Sequence, residues 1–212
     1  GKGQRGNQWI AEPNQNLLVS FLLKPGHEAL PVQFYLSKAI ALGIVKGLNS
    51  WSQMKFGEIL PLSIKWPNDI YLAGKKLGGI LIESNFQGGQ WAFSIIGIGL
   101  NINQTEFENL RACSLKKWTK SPAKIDIRDI FNAISIEIEN YYQLFLSNNF
   151  EEIDKVYHQN LFRLQTKALF EDAIGVFLGK IIRVNPNGHL VLEKSNEIKV
   201  YDLKELSFIF SE

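Results

Sequence analysis

The sequence predicts an α/β (α+β) protein, with strands and helices interspersed over most of its length and a small all-β module at the end. Three observations lead there. Residues 17–23, 62–66 and 91–100 form short apolar or alternating runs. Helix-period runs open at Pro31 and at Asp126. From about Thr166 the chain turns to short strands separated by turn signals.

Taken in order, Leu17 to Leu23 is an apolar run bounded by polar loops, which suits a buried strand. Pro31 then opens a helix through Ala39, Ile40, Leu42, Ile44, Val45 and Leu48, proline being well placed at a first helical position. Its apolar residues surround most of the helix, so it is expected at the centre of the molecule. Leu62, Ile64 and Trp66 alternate with Ser63 and Lys65, which is strand spacing. A hairpin turning near Ala73-Gly74-Lys75 follows, and Gly88-Gly89 marks another turn before a strand from Trp91 to Leu100. Asp126 caps an amphipathic helix carrying Ile127, Ile130, Phe131, Ile134, Ile138, Tyr141 and Phe145. Asp129 is placed like a capping-box partner. A further helix is expected from about Phe150 to Leu161. Short strands near 176–184, 189–193 and 198–201 complete the chain, with Asn185-Pro186-Asn187-Gly188 as a turn. The expected domains are 1–165 and 166–212.

The 212 residues suffice for a full core, and 45% hydrophobic with 21% charged residues is ordinary for a globular protein. A net charge of +2 argues against a large phosphate-binding surface, such as one for nucleic acid, and leaves room for a local basic site. The single cysteine, Cys113, allows no internal disulfide or cysteine metal cluster and fits a reducing compartment. His27, His158 and His189 show no ligand spacing. No apolar run reaches the roughly 18 residues of a membrane span, and no signal peptide is visible, so a cytoplasmic protein without membrane contact is expected. The opening Gly1-Lys2-Gly3-Gln4-Arg5-Gly6 reads as the middle of a functional loop, and upstream residues are expected.

The chemistry concentrates in residues 65–83. Lys65 and Lys76 flank Asn68-Asp69, and two lysines near one carboxylate can grip a phosphate chain and a carboxylate while Asp69 binds a metal or positions an amine. Surface lysines on a hairpin are the plainer reading. Pro67, which fixes the backbone before Asn68, and Gly78-Gly79, where a ligand could approach the backbone, favour the functional one. The opening loop matches G-x-G-x-x-G but lacks the preceding strand and following helix of a dinucleotide site. Its Lys2, Arg5 and backbone N–H groups could instead close over an anion, or it could be solvated surface. Trp9 suits either stacking on a flat ligand or anchoring a core. Gly97 and Gly99 alternate on a strand ending at Asn101, which fits a ligand-binding backbone edge or close strand packing. No Ser/His/Asp set and no P-loop is present.

Three segments together resemble the biotin protein ligases: GKGQRGNQW (1–9), KWPNDIYLAGKKLGGILIE (65–83) and GIGLNIN (97–103). The resemblance implies a mixed β-sheet with packed helices, like that of class II aminoacyl-tRNA synthetases and lipoate ligases, and a C-terminal SH3-like β-barrel. It implies formation of biotinyl-5′-AMP from biotin and ATP with Mg²⁺, then transfer to a lysine of a biotin carboxyl carrier protein. Lys76 would bridge the biotin carboxylate and the α-phosphate, Lys65 would hold phosphates, and Asp69 would orient the metal or the amine. Gly1, Lys2, Gly3, Gln4, Arg5 and Gly6 would close over the intermediate, Trp9 would stack on adenine, and Asn68 would belong to the same site. Gly79, Gly97 and Gly99 would line the pockets through their backbones, and Asn101 would meet adenine. Lys2 stands where the family commonly has Arg, and Gln4 where an Arg is often found. Elements that contact biotin's ring in the family would lie upstream of Gly1. Members are monomers or dimers, so a homodimer stays open. The alternative is a biotin-sensing regulator or a non-catalytic biotin-binding homologue; a lipoate or octanoate ligase lacks support, its Arg- and His-containing motifs being absent.

Overall fold

The computed structural model describes residues 3, 9–26, 32–108 and 111–210. Strand β1 (Leu17–Leu23) is followed by helix α1 (Gln33–Phe56) and by strands β2 (Leu62–Lys65), β3 (Asp69–Leu72), β4 (Lys75–Gln87) and β5 (Gln90–Leu100). Helices α2 (Leu115–Thr119), α3 (Ile127–Leu146) and α4 (Phe150–Gln159) come next. Strands β6 (Lys167–Asp172), β7 (Gly175–Val184), β8 (Leu190–Lys194), β9 (Glu197–Tyr201) and β10 (Ser207–Phe208) end the chain. The expected α/β architecture is therefore present, with strands and helices in one packed unit.

The first sheet has the order β1-β5-β4-β3-β2 and is antiparallel throughout. One face packs on α1, which is buried on most sides, as its all-round apolar sequence requires. The helix extends to Phe56, beyond the expected end, until Gly57 closes it in a left-handed conformation (φ 72°) with its N–H donated to the Gln53 carbonyl. Val32 is the N-cap, and Pro31 lies outside the described residues. Gly43 and Gly47, one turn apart, let α3 come close. A Cβ at either would sit 2.6 Å from Ile138 Cα and 2.5 Å from Ile134 Cα, respectively. Asp126 caps α3 through the N–H of Arg128. Buried Ile130, Ile134, Ile138, Tyr142 and Phe145 form its core stripe.

The second sheet is also antiparallel, in the order β10-β6-β7-β8-β9. Among the described residues no pairing joins β9 to β10, so the expected closed barrel is not seen. Strands β6 and β10 were not anticipated. Strand β10 has two residues, too short to leave an alternating pattern.

The two sheets are knitted together. Trp66 Nε1–H donates to the Gly188 carbonyl (2.8 Å), and the Phe34 ring fills the space where a Cβ of Gly188 would stand. Lys38 is fully buried, paired with Asp154 at 2.5 Å and donating to the Val184 carbonyl at 3.3 Å. His158 Nε2 accepts from the Val184 N–H (2.9 Å). Among the described residues no helix is long and apolar enough to cross a membrane.

Candidate active site

The meander β2–β3–β4 builds the site. Lys65 ends β2, a turn with a cis Trp66–Pro67 bond follows, and Asp69 opens β3 directly opposite Lys65 and beside Gly79 of β4. Asn68 holds this turn to β4 in both directions. Its side-chain amide donates to the Ile80 carbonyl (2.7 Å), and its own carbonyl accepts from the Ile80 N–H (2.9 Å).

A bulge then decides where Lys76 points. Strict alternation backward from Gly79 would place Lys76 on the core face. The pairing shifts between Ile70 and Tyr71, so Tyr71 opposes Lys76, and the extra residue, Leu77, turns fully into the core. Lys76 thereby shares a face with Tyr71, Asp69 and Gly79, and its ammonium lies 2.7 Å from Asp69 Oδ1. Its backbone is held too. Lys76 N–H donates to the Arg111 carbonyl (2.8 Å), and the Cys113 N–H donates to the Lys76 carbonyl (2.9 Å).

These groups line a cleft of about 750 Å³. Lys65, Lys76 and Asp69 gather at its charged part, while Leu18, Leu81 and Ile95 supply an apolar part. Lys65, Lys76 and Lys204 against Asp69 and Glu83 leave the lining net positive, which favours an anionic ligand. Lys65 is half-buried, its ammonium 4.4 Å from the Phe208 ring and 5.8 Å from the Tyr71 ring. Burial lowers its pKa, with the Asp69 carboxylate opposing the shift and Lys76 and Arg163 adding to it. Burial likewise raises the pKa of the Tyr71 hydroxyl, helped by Asp69.

The glycines have separate reasons. Trp9 lies on the Gly99 backbone: a Cβ there would be 2.7 Å from its ring. The same ring passes Gly79 at ordinary contact distance, and the Lys76 ammonium is 5.7 Å from its centroid. Gly78 admits Leu100 and the Gly99 carbonyl, which a Cβ would meet at 2.4 and 2.6 Å. Gly97 meets only Leu81, at 3.7 Å.

Lys65, Asn68, Asp69, Lys76, Gly79, Gly97, Gly99, Trp9 and Gly3 therefore converge on one cleft. Asn101 does not line it. It is buried and its amide donates to the Cys113 carbonyl (3.0 Å), so it braces the segment behind Lys76. Gly1, Lys2, Gln4, Arg5 and Gly6 lie outside the described residues. The sequence reading missed Tyr71, Phe208 and Phe210. Tyr71 carried a signal, being two residues from Asp69 on a strand. Phe208 and Phe210 reach the cleft from the second sheet's end, which nothing local announces. No cluster of three His, Cys, Asp or Glu side chains suited to a metal occurs among the described residues.

Comparison with known proteins agrees with this geometry. The family model described as Biotin/lipoate A/B protein ligase family matches residues 1–101. A bifunctional ligase/repressor BirA of Bacillus spizizenii is 27% identical over 204 residues, covering 94% of this chain. This chain spans only 60% of that relative's length. The biotin–[acetyl-CoA-carboxylase] ligase of Paracoccus denitrificans is 36% identical over 102 residues, which is 48% of this chain and 40% of that protein. The structure of the Aquifex aeolicus biotin protein ligase in complex with biotin and ATP superposes with a TM-score of 0.78 at 25% identity, covering 100% of this chain and 85% of that one. Residues 1–101 thus carry the match to the Biotin/lipoate A/B protein ligase family model, and the chain shares its fold with the Aquifex aeolicus biotin protein ligase.

Proposed function

We propose that this protein is an ATP-dependent biotin–protein ligase. One observation carries the reading: the Lys76 ammonium pairs with the Asp69 carboxylate, and Lys65, opposite Asp69 on the neighbouring strand, lines the same cleft, which is large enough for a nucleotide and a small acid. Joining two anions needs cations between them, and Lys65 and Lys76 would supply them here. In the first step a biotin carboxylate oxygen attacks the α-phosphorus of ATP, and the bond to pyrophosphate breaks. Lys76 would sit between carboxylate and α-phosphate, oriented by Asp69, while Lys65 would face the phosphates. Trp9, seated on Gly99, would offer its ring to the adenine. The apolar part of the cleft suits the biotin side. In the second step a neutral lysine amine of a biotin carboxyl carrier protein attacks the activated carbonyl, AMP departs, and the amine's surplus proton is released. Asp69 would orient that amine.

Mg²⁺ would come with the nucleotide. Of the two carboxylates lining the cleft, Asp69 and Glu83, Asp69 lies beside the lysines, and Mg²⁺ commonly takes one or two carboxylates plus substrate phosphates. Residues 1–165 would form the catalytic domain and 166–212 a small SH3-like module, a reading supported by the short antiparallel strands of the second sheet. Its last residues would complete the cleft. Incubation with biotin, ATP and a carrier domain should yield a carrier heavier by the mass of one biotinyl group in intact-mass spectrometry, a product abolished when the acceptor lysine is changed to arginine. An unmodified carrier would count against the proposal.

A further inference from the structure

Two arginines outside the cleft are tied to Lys65 and Lys76 within it. The segment 111–113 runs beside Lys76, with Arg111 supplying the carbonyl that binds the Lys76 N–H. On the other side, residues 160–162 run parallel to β2 next to Lys65. There Ile64 N–H donates to the Asn160 carbonyl (2.7 Å) and Phe162 N–H to the Ile64 carbonyl (2.9 Å), and Arg163 follows at once. Both guanidinium groups then converge on one place. Arg111 lies 4.5 Å and Arg163 4.6 Å from the centroid of the Phe210 ring. Arg111 donates to the Phe210 carbonyl (3.2 Å) and Arg163 to the neighbouring Ile209 carbonyl (2.9 Å). Phe210 also stacks on Tyr71 (6.3 Å) and Phe162 (6.2 Å), and Phe208, two residues back, covers the Lys65 ammonium.

We propose that Arg111 and Arg163 are positioning residues for adenylate formation. They clamp the 207–210 segment between them and so fix the aromatic wall of the cleft against Lys65 and Lys76. Bringing two like charges to one ring is unfavourable unless the ring face and the two carbonyls answer both, as they do here. The strand they hold is short: β10 contributes two residues, paired only to β6, so the sheet alone anchors it weakly. Arg163 adopts φ 61°, an uncommon conformation for a residue with a side chain, which its tertiary contacts maintain. The proposal rests on the ligase reading for its catalytic consequence but not for its geometry.

The test uses the whole protein with Arg163→Ala, Arg163→Lys, Phe210→Leu and the double variant Arg163→Ala/Phe210→Leu. Without substrates, acetylation of Lys65 by acetic anhydride is followed by peptide mass spectrometry, with exposed Lys46 as internal reference. Opening the clamp should raise Lys65 labelling severalfold relative to Lys46. In biotin-dependent ATP–pyrophosphate exchange, kcat/KM should fall about tenfold to a hundredfold, the scale of a misplacement of about 1 Å. Arg163→Lys should not restore it, since an ammonium lacks the planar fork that stacks and donates together. The double variant should lose no more than the worse single one. Should Arg163→Ala fail to fold, Phe210→Leu alone reads the same coupling. Unchanged Lys65 labelling, full activity of Arg163→Lys, or losses that multiply would overturn the clamp. If no protein, wild type included, supports exchange, the ligase reading fails while the labelling result still decides the clamp.

Discussion

Gly99→Ala tests how the cleft wall is built. Gly99 sits on β5, hydrogen-bonded to β1 on one side and β4 on the other, so its backbone cannot retreat. An added Cβ would stand 2.7 Å from Trp9 Cε2 and 3.1 Å from Cδ2 and Cζ2. Ordinary contact begins near 3.4 Å, so the ring must lift by at least about 0.7 Å, which takes it away from Gly79 and Lys76 as well. Overpacking of this kind costs about 1–3 kcal/mol, or roughly 2–4 °C of Tm per kcal/mol in a protein of this size. Gly97→Ala is the matched comparison. Its Cβ meets Leu81 at 3.7 Å, so the melting temperature should hardly move. Thermal melts followed by circular dichroism compare the two, and pyrophosphate exchange should fall about a hundredfold for Gly99→Ala if the Trp9 ring shifts by nearly 1 Å. Equal melts for both variants, or full exchange activity in Gly99→Ala, would refute the seating of Trp9 on Gly99.

Lys76→Ala should lower adenylation by about 10²–10³-fold, the usual loss for a donor aimed at developing charge, and leave the fold intact because the Lys76–Asp69 pair is partly exposed and contributes at most about 1 kcal/mol; exchange kinetics beside a thermal melt check both halves. Asp154→Asn leaves the buried Lys38 ammonium without its carboxylate, and should cost about 2 kcal/mol in urea unfolding, less than a fully enclosed pair because Asp154 is 36% exposed. Asp172 accepts from Lys194 and from the Tyr201 hydroxyl, and the Lys194 ammonium foremost holds its pKa down to about 2. A depressed folded pKa stabilises above the unfolded value near 3.9 and is lost as pH falls towards about 2, so Asp172→Asn should flatten the decline in stability between those two values.

The charged core of the site was legible because Lys65, Asn68, Asp69 and Lys76 crowd a short, strand-rich stretch. The face they occupy was not. Alternation alone sends Lys76 into the core, and only the bulge at Leu77, a property of the pairing between β3 and β4, brings it round to Asp69. The glycines were expected to admit a ligand or, at Gly97 and Gly99, close strand packing; at Gly99 and Gly78 the neighbours are Trp9 and Leu100. Asn101 looked available because its sequence position follows a glycine-bearing strand. Burial against Cys113 is a tertiary fact. Helices α1 and α3 were legible from periodicity, whereas α2, at five residues, is too short to show one. The contribution of Phe208 and Phe210 depends on contacts between distant parts of the chain, beyond any local pattern.

Biotin-dependent ATP–pyrophosphate exchange by the full-length protein, with lipoate as the competing acid, tests the central claim most directly. Exchange is expected with biotin, with none when biotin is omitted and little with lipoate. No exchange at saturating biotin and ATP, or equal exchange with lipoate, would contradict the assignment of this cleft to biotin adenylation.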